Sequence, residues 1–521
     1  RVAAQAAEIL DAYPADGLFF DILMQPQPAC CCPRCIEQMR ARGLDPKDAR
    51  SAAAFSHEVM REAHARLARA LRGRRAGLSF FANSCFTLAG RDLVPYDSHV
   101  EVESLPTGGW GYAHLPIMGR FARTLGKPFS GMTARFHQTW GDVGGLKPQA
   151  ALEQECFHAL MLGGACCIGD HLPPGGRPEP AVYERIGAVF AQVQARAPWC
   201  RGARPVTQVG LLVPPVHEIP PAAAGAARML AEAHLLFDVV SPQARLESYE
   251  ALVLPDEIRL DAELAARLEA YLAQGGKVLA TAESGLAESE ARFALGAWPV
   301  TFSGQARFSR QYLLPGKELR RHIPDMPHAL YCSGLEVRAR RGAEVLATLG
   351  DPYFSRSAER FSGHTEVAMA RRTRRPAIVR QGPVVYIQSP LFTAYALTAY
   401  PVYRQIVARM LDGLLGSRAV EAALPTTARL SLLQRGRRRI VHLMSYVPER
   451  RAAGLDIIEE SQPLYHVRLR VRVSRRPGRV YLAPGEVELE HGYGEGFVEL
   501  SVPEVDGHVM VVLEPARRSR A

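Results

Sequence analysis

At 521 residues and 57.1 kDa the chain is too long for one compact domain, and two to four are expected. Its composition, 47% hydrophobic, 22% charged and 8% aromatic with a mean hydropathy of -0.08, excludes disorder, collagen and coiled coil, and no apolar run approaches the roughly 18–20 residues of a bilayer crossing. The net charge of +10 rests almost wholly on arginine; the runs 371–375 and 435–439 could grip phosphates, but no stacking aromatics are interleaved with them, so no nucleic-acid partner is expected.

From the start to about residue 195, short apolar runs alternate with longer helical patterns, the signature of βα units. Val2, Ala3, Ala6, Ile9 and Leu10 already have helical spacing, so the chain is expected to open inside an element, with any signal peptide upstream. Strands are predicted at 17–22, 77–82, 99–103, 128–132 and 165–169, and helices at 48–72, 115–125, 148–162 and 180–195. A closed (β/α)8 barrel needs eight strands. Residues 1–198 are therefore read as its last five, a partial TIM barrel short of three βα units.

Around residues 197–202 the pattern resets. Strands within 206–213, 251–255, 278–281 and 384–388 alternate with helices at 222–234, 261–273 and 402–415, so residues 199–416 are read as a flavodoxin-like α/β domain. Gly275 and Gly276 follow a helix instead of opening one, which makes them a C-cap and not a phosphate loop. After Gly416 the period becomes two: Val467, Leu469, Val471 and Val473 alternate with Arg468, Arg470 and Arg472. Residues 417–521 are read as a β-sandwich.

Chemistry gathers in the first region. An apolar strand ending in a carboxylate sets that acid at a barrel mouth, which makes Asp21 the leading catalytic candidate; an aspartate bonded to a neighbouring loop is the alternative. Cys30, Cys32 and Cys35 form a C-x-C-x-x-C pattern able to turn thiolates toward one zinc, with a fourth ligand upstream or Cys31 in its place; reduced, metal-free thiols are the alternative. Adjacent cysteines make poor disulfide frameworks, so a reducing, cytoplasmic compartment is expected.

In a strand, His99, Glu101 and Glu103 share one face while Val100 and Val102 share the other. Glu103, nearest the carboxyl end, is the natural partner for Asp21, since glycosidic cleavage uses two carboxylates; Glu101 lies one layer deeper. Trp110 and Tyr112 follow in the next loop. After the fourth strand, Arg135 and His137 offer hydrogen bonds to hydroxyls and Trp140 an apolar face for a sugar ring, a core role for Trp140 being equally open. Asp170 and His171 are expected to face the same mouth.

At these residues the chain resembles the barrel glycoside hydrolases that carry a β-galactosidase trimerisation domain, close to the "hypothetical glycosyl hydrolase 6" barrels and the family 151 α-L-fucosidases. The matching stretches are 16–21 with the cysteine cluster, 103–112, 131–146, 155–170 and, in the second half, 254–281. Cys30 stands nine residues after Asp21, similar to the zinc motif that follows the catalytic acid of family 42 β-galactosidases. Those enzymes place a nucleophilic Glu at the end of strand seven, where this chain has Gly131-Met132-Thr133. Phe19-Phe20-Asp21 looks instead like the nucleophile strand of family 29 α-L-fucosidases.

The resemblance thus implies a retaining exo-glycosidase with Asp21 as nucleophile and Glu103 as proton donor, acting on α-L-fucose or, as a second reading, β-galactosidase-like. It also implies a structural zinc, no organic cofactor, and a homo-oligomer, a trimer, assembled through 199–416. That region resembles a glutamine-amidotransferase-like sheet too, but without a Cys elbow. A non-catalytic carbohydrate-binding or assembly protein is the reading from another class, and a chain short of three βα units is expected to be inactive by itself.

Overall fold

The computed structural model describes residues 1–23, 29–74, 77–83 and 86–516. Its first part runs α1 (Val2–Ala12), β1 (Gly17–Phe20), α2 (Pro33–Ala41), α3 (Ala49–Arg72), β2 (Ser79–Ala82), β3 (Val100–Glu103), α4 (His114–Ala122), β4 (Phe129–Ala134), α5 (Gln149–Met161), β5 (Ala165–Gly169) and α6 (Pro180–Cys200). β1 and β2 pair in parallel, as do β3, β4 and β5. Ser98 links the two ladders, its N–H donating to the Phe80 carbonyl at 2.8 Å and its hydroxyl accepting from the Phe80 N–H at 3.2 Å. The result is an arc of two parallel ladders, one of two strands and one of three, joined at Ser98.

Local chemistry explains where its helices begin and which way they turn. Asp48 caps α3 by accepting from the Ser51 N–H at 3.0 Å, and Phe55, Leu67 and Leu71 form the buried stripe of that helix. Val100 and Val102 pack with Leu115 and Phe121 of α4, so the alternate residues of β3 face the other side of the arc. α5 is buried on nearly every side. Ala159 meets the space above Gly131 of β4, while on the opposite flank Ser431 donates to the Met161 carbonyl at 2.6 Å and the His508 ring stacks on Phe157 at 5.1 Å.

The second part contains β6 (Arg204–Pro205), β7 (Val209–Leu212), α7 (Pro221–Glu232), β8 (Phe237–Val240), β9 (Ala251–Leu254), α8 (Ala262–Ala273) and β10 (Lys277–Thr281), then β11 (Val300–Gln305), β12 (Gln311–Pro315), β13 (His328–Leu330), β14 (Leu335–Ala339), β15 (Glu344–Pro352), β16 (Met369–Gln381) and β17 (Val384–Ile387), and finally α9 (Leu391–Thr398) and α10 (Pro401–Leu415). The parallel strands stand in the order β8-β7-β9-β10-β17, which is 2-1-3-4-5 in chain order, as in doubly wound sheets. β7 and β9 are buried throughout, as strands covered on both faces must be.

Beyond β17, β16, β15, β12 and β13 add antiparallel, giving nine strands, while β11 and β14 pair separately. Within this extension two arginines of the run 371–375 meet carboxylates: the exposed Arg371 reaches the buried Asp351 at 3.1 Å, and Arg375 bonds both Asp351 and Glu336. Gly275 leaves α8 with φ +89°, the left-handed step a helix C-terminus favours.

The last part holds β18 (Val420–Ala422), β19 (Arg429–Arg435), β20 (Arg438–Ser445), β21 (Glu449–Ala452), β22 (Leu455–Ile457), β23 (Leu464–Arg472), β24 (Pro477–Ala483), β25 (Val487–Glu488), β26 (His491–Gly494), β27 (Phe497–Val505) and β28 (Gly507–Pro515). Two sheets, β18-β23-β27-β26 and β25-β24-β28-β20-β19-β6, enclose Leu432, Val441, Val471, Val498 and Val511. β6 is the surprise: residues 204–205 leave α6 and pair with β19 before the chain enters the nine-stranded sheet at β7. No helix among the described residues is long and apolar enough to cross a membrane.

Candidate active site

Strand alternation decides which side chains share the inner face of the arc. On β1 these are Phe19 and the following Asp21, on β2 Phe81 and the following Asn83, and on β3 Glu101 and Glu103. Phe19 meets Phe81 at 5.0 Å between centroids, and Phe81 meets the His99 ring at 4.1 Å, an aromatic ladder beneath the carboxylates. Asp21 is exposed and accepts from the Asn83 side-chain amide at 3.1 Å. Phe20 and Ala82 are register partners, so Asp21 and Asn83 emerge side by side from neighbouring strand ends.

Glu103 closes β3 half-buried, whereas Glu101 is 7% exposed. Burial first, then the charges of Glu103 and Asp21, push the Glu101 carboxyl up to about 7. Three carboxyl groups thus share one face, and Glu101 is the deepest of them. Cys167 on β5 belongs to the same face, burial and the Glu101 charge raising its thiol to about 11.

Around this face the remaining candidates divide. Trp140 is 45% exposed, lies edge-on to Phe136 at 5.3 Å, and passes so close to Gly169 that a Cβ there would stand 2.6 Å from its ring. Gly169 ends β5, so the indole spreads over the strand end and is not a core residue. Trp110 is 44% exposed on a loop turned by Gly109 (φ +103°) and Gly111 (φ +70°), and it leans on His114 at 5.3 Å. Thr107 ties that loop to the next by donating to the Gln138 carbonyl at 3.2 Å. His137 is half-buried there.

Arg135, expected to offer itself to hydroxyls, is 2% exposed. It donates to Asp170 at 2.7 Å, to the Val143 and Gly145 carbonyls at 2.8 and 2.6 Å, and to His171 Nδ1 at 3.0 Å. The same Nδ1 lies 3.2 Å from Asp170 Oδ1, so the ring is held between the guanidinium and the carboxylate. Burial opposes ionisation of Asp170, but the hydrogen bonds from Arg135 and the His171 N–H, with the Arg135 charge, hold it below the usual carboxylate range. Arg135 thus builds the loop, and His171 is what the loop presents.

Tyr112 departs from the expected grouping as well. Its hydroxyl is buried toward Glu155 of α5, behind the arc, beside a water-sized cavity of about 10 Å³ lined by Ser104, Thr133 and His158. Glu155 there accepts from the buried Lys147 at 2.8 Å.

The sulfurs of Cys30, Cys32 and Cys35 lie within 4.8 Å of one another, a span that a tetrahedral thiolate site can draw in. Cys35, in the first turn of α2, is raised to about 12, chiefly by burial; Cys32 is lowered by hydrogen bonds from Cys35 and Cys30. Cys31 turns away toward the Ala29 carbonyl at 3.5 Å. Sequence reasoning missed Asn83 and Gly169. Each sits at a strand end, one residue past β2 or closing β5, and that offset was the available signal.

Comparison with known proteins bears on this arrangement. Residues 228–310 match the family described as β-galactosidase trimerisation domain. The chain is similar to the solved structure of α-L-fucosidase isoenzyme 2 from Paenibacillus thiaminolyticus, at 34% identity and a TM-score of 0.94, covering 99% of this chain and 80% of that one. It shares its fold with the β-galactosidase from Bacillus circulans sp. alkalophilus, at 12% identity, a TM-score of 0.70 and coverage of 98% and 81%. The β-galactosidase from Rahnella sp. R3 aligns at 15% identity and a TM-score of 0.62, covering 88% and 67%. No curated protein matches the sequence.

Proposed function

The chain belongs to the same glycoside hydrolase family as the Paenibacillus α-L-fucosidase, and from that premise we propose that it removes terminal α-L-fucose from oligosaccharides or glycosides with retention of configuration. The observation that carries the reading is the gathering of Asp21, Glu101 and Glu103 on one face of β1 and β3, close enough for the charges of Asp21 and Glu103 to act on Glu101. Asp21, exposed at the end of β1, attacks the anomeric carbon. Glu103 protonates the departing oxygen and then deprotonates the water that releases the sugar. Glu101 lies beneath them, and its raised carboxyl limits the negative charge gathered on this face.

Trp110 and Trp140 supply apolar faces for sugar rings, and His171, set by Arg135 and Asp170, a hydrogen bond to a hydroxyl. In this reading the arc is the carboxyl-side part of a (β/α)8 barrel, the strand order 2-1-3-4-5 marks a flavodoxin-like domain, and 1–198, 199–416 and 417–521 are the domains. The middle one assembles a trimer. Cys30, Cys32 and Cys35 would hold a structural zinc, which supplies no step of the reaction but pins the segment leading into α2 close after Asp21 in the chain.

A panel of nitrophenyl glycosides offered to the full-length protein tests the substrate. The α-L-fucoside should be turned over fastest. Preference for the β-D-galactoside would transfer the assignment to the second reading, and hydrolysis of none would remove it.

A further inference from the structure

The arginine run 435–439, unused by the chemistry above, has a counterpart elsewhere in the chain. Arg437 lies in the turn between β19 and β20, Arg439 is the second residue of β20, and Ser474, Arg475 and Arg476 lie on the segment that crosses from β23 to β24. Leu513 of β28 pairs with Arg439 on one side and with Val480 of β24 on the other, which brings the two stretches together around the end of β28. Between them is a pocket of about 140 Å³, lined by Gln434, Arg437, Arg439, Ser474, Arg475 and Arg476 over a floor of Leu513 and Pro515.

What sets these arginines apart is their lack of counter-charge. Arg371 and Arg375 converge on Asp351, and Arg470 and Arg479 each hold two glutamates. One carboxylate, Glu514, also lines this pocket, but it is already taken by Arg438 at 2.6 Å and by the Tyr481 hydroxyl at 2.9 Å. Among the described residues, Arg437, Arg439, Arg475 and Arg476 form no ion pair; Arg439 donates to the Arg472 carbonyl, which carries no charge. Four guanidinium groups around one small pocket repel one another until an anion enters.

We propose that this pocket binds a sulfate group of a sulfated saccharide chain, docking the protein on such a polymer while its other end is trimmed at the arc. The choice of a saccharide as carrier rests on the glycosidase reading; the choice of a tetrahedral oxyanion rests on the pocket. Guanidinium forks pair with such oxyanions through two N–H groups, and the volume admits the anion but not a stack of rings. A nucleic acid would also bring phosphates, yet no aromatic side chain lines the pocket to receive a base.

The test compares the full-length protein with its Arg475→Gln/Arg476→Gln variant, both substitutions lying on an exposed segment. Dextran sulfate, uncharged dextran, inorganic sulfate and duplex DNA are titrated at one salt concentration. Dextran sulfate should bind and dextran should not, and the variant should bind dextran sulfate at least about ten-fold more weakly with an unchanged melting temperature. Arg437→Gln, on the other side of the pocket, should weaken it in the same direction. Equal affinity in all three proteins, or duplex DNA binding as tightly as dextran sulfate, overturns the proposal. Hydrolysis of the nitrophenyl α-L-fucoside should be the same in wild type and variants; its absence from all would remove the glycosidase reading while the binding result stood.

Discussion

Asp21 is exposed and tethered through one amide, so its replacement should change chemistry far more than structure. Asp21→Ala is expected to lower turnover of the aryl fucoside by roughly 10³ or more, with partial recovery in azide because a small anion fills the nucleophile's place. Glu103→Ala should be harmed mainly with poor leaving groups, since a stable phenolate needs little protonation. A pair of Brønsted series on the two variants checks both. Glu101 gives a pH signature. Its carboxyl is raised in the fold, so its contribution to stability is present below about 4.5 and lost as pH rises through about 7. Glu101→Gln should therefore stabilise the protein by about 3 kcal/mol at pH 8 and hardly at all at pH 4, measured by urea unfolding. At this scale the sequence told which carboxylates end strands, because an acid after an apolar run is visible without a fold. It did not tell that Arg135 would be consumed by carbonyls or that Asn83 would flank Asp21, since both depend on which loop or strand lies alongside.

Two elements carry predictions of their own. The turn before α2 should bind close to one zinc per chain in protein purified without chelator, and Cys32→Ser should abolish it; metal analysis showing less than about a tenth of that stoichiometry would discard the site. Between α6 and β28 runs a buried relay: Arg196 donates to His508 Nδ1 at 3.0 Å, and His508 Nε2 lies 3.0 Å from His442 Nδ1. With Arg196 fixed as donor, both rings are neutral and share one tautomer. Burial, then the Arg196 charge, lowers His442 to about 3, so the unfolded chain gains protons first as pH falls below about 6.5. Stability should drop by about 1.4 kcal/mol per pH unit for this group between 6 and 4, and His442→Gln should flatten that slope in denaturant titrations. The five strands of the arc fell close to where apolar runs put them. The extension at 300–381 did not, because β16 reads as MARRTRRPAIVRQ, a charge run in which Arg371 and Arg375 find Asp351 and Glu336, and Arg380 finds Glu318 and Glu344, only once the fold brings those carboxylates alongside. α6 also runs on through Pro198, its last turn anchored where Trp199 donates to the Tyr481 hydroxyl at 3.0 Å.

The parts of the molecule are stitched at several points. Arg123, just past the end of α4, pairs with the buried Asp238 of β8 at 2.6 Å, and β6 lends two residues to the sandwich before the chain enters the nine-stranded sheet. Assembly is expected on top of this. Light scattering across a concentration series should give the mass of three chains, and a single-chain mass at high concentration would remove the trimer. Period changes in the sequence marked three regions, since helical, buried-strand and alternating patterns differ, but not the lending of β6, which is too short to carry a period.

α5 has one further consequence, for the order of events during synthesis. Its outer flank is covered by Ser431 and His508, and the first of these lies 270 residues after Met161. At roughly 5–20 residues per second a ribosome needs on the order of 14–54 s to deliver Ser431, and on the order of 18–70 s after Phe157 to deliver His508. Until then Phe157 and its neighbours in the nascent arc lack that cover, so the outer packing of α5 depends on segments made long after it.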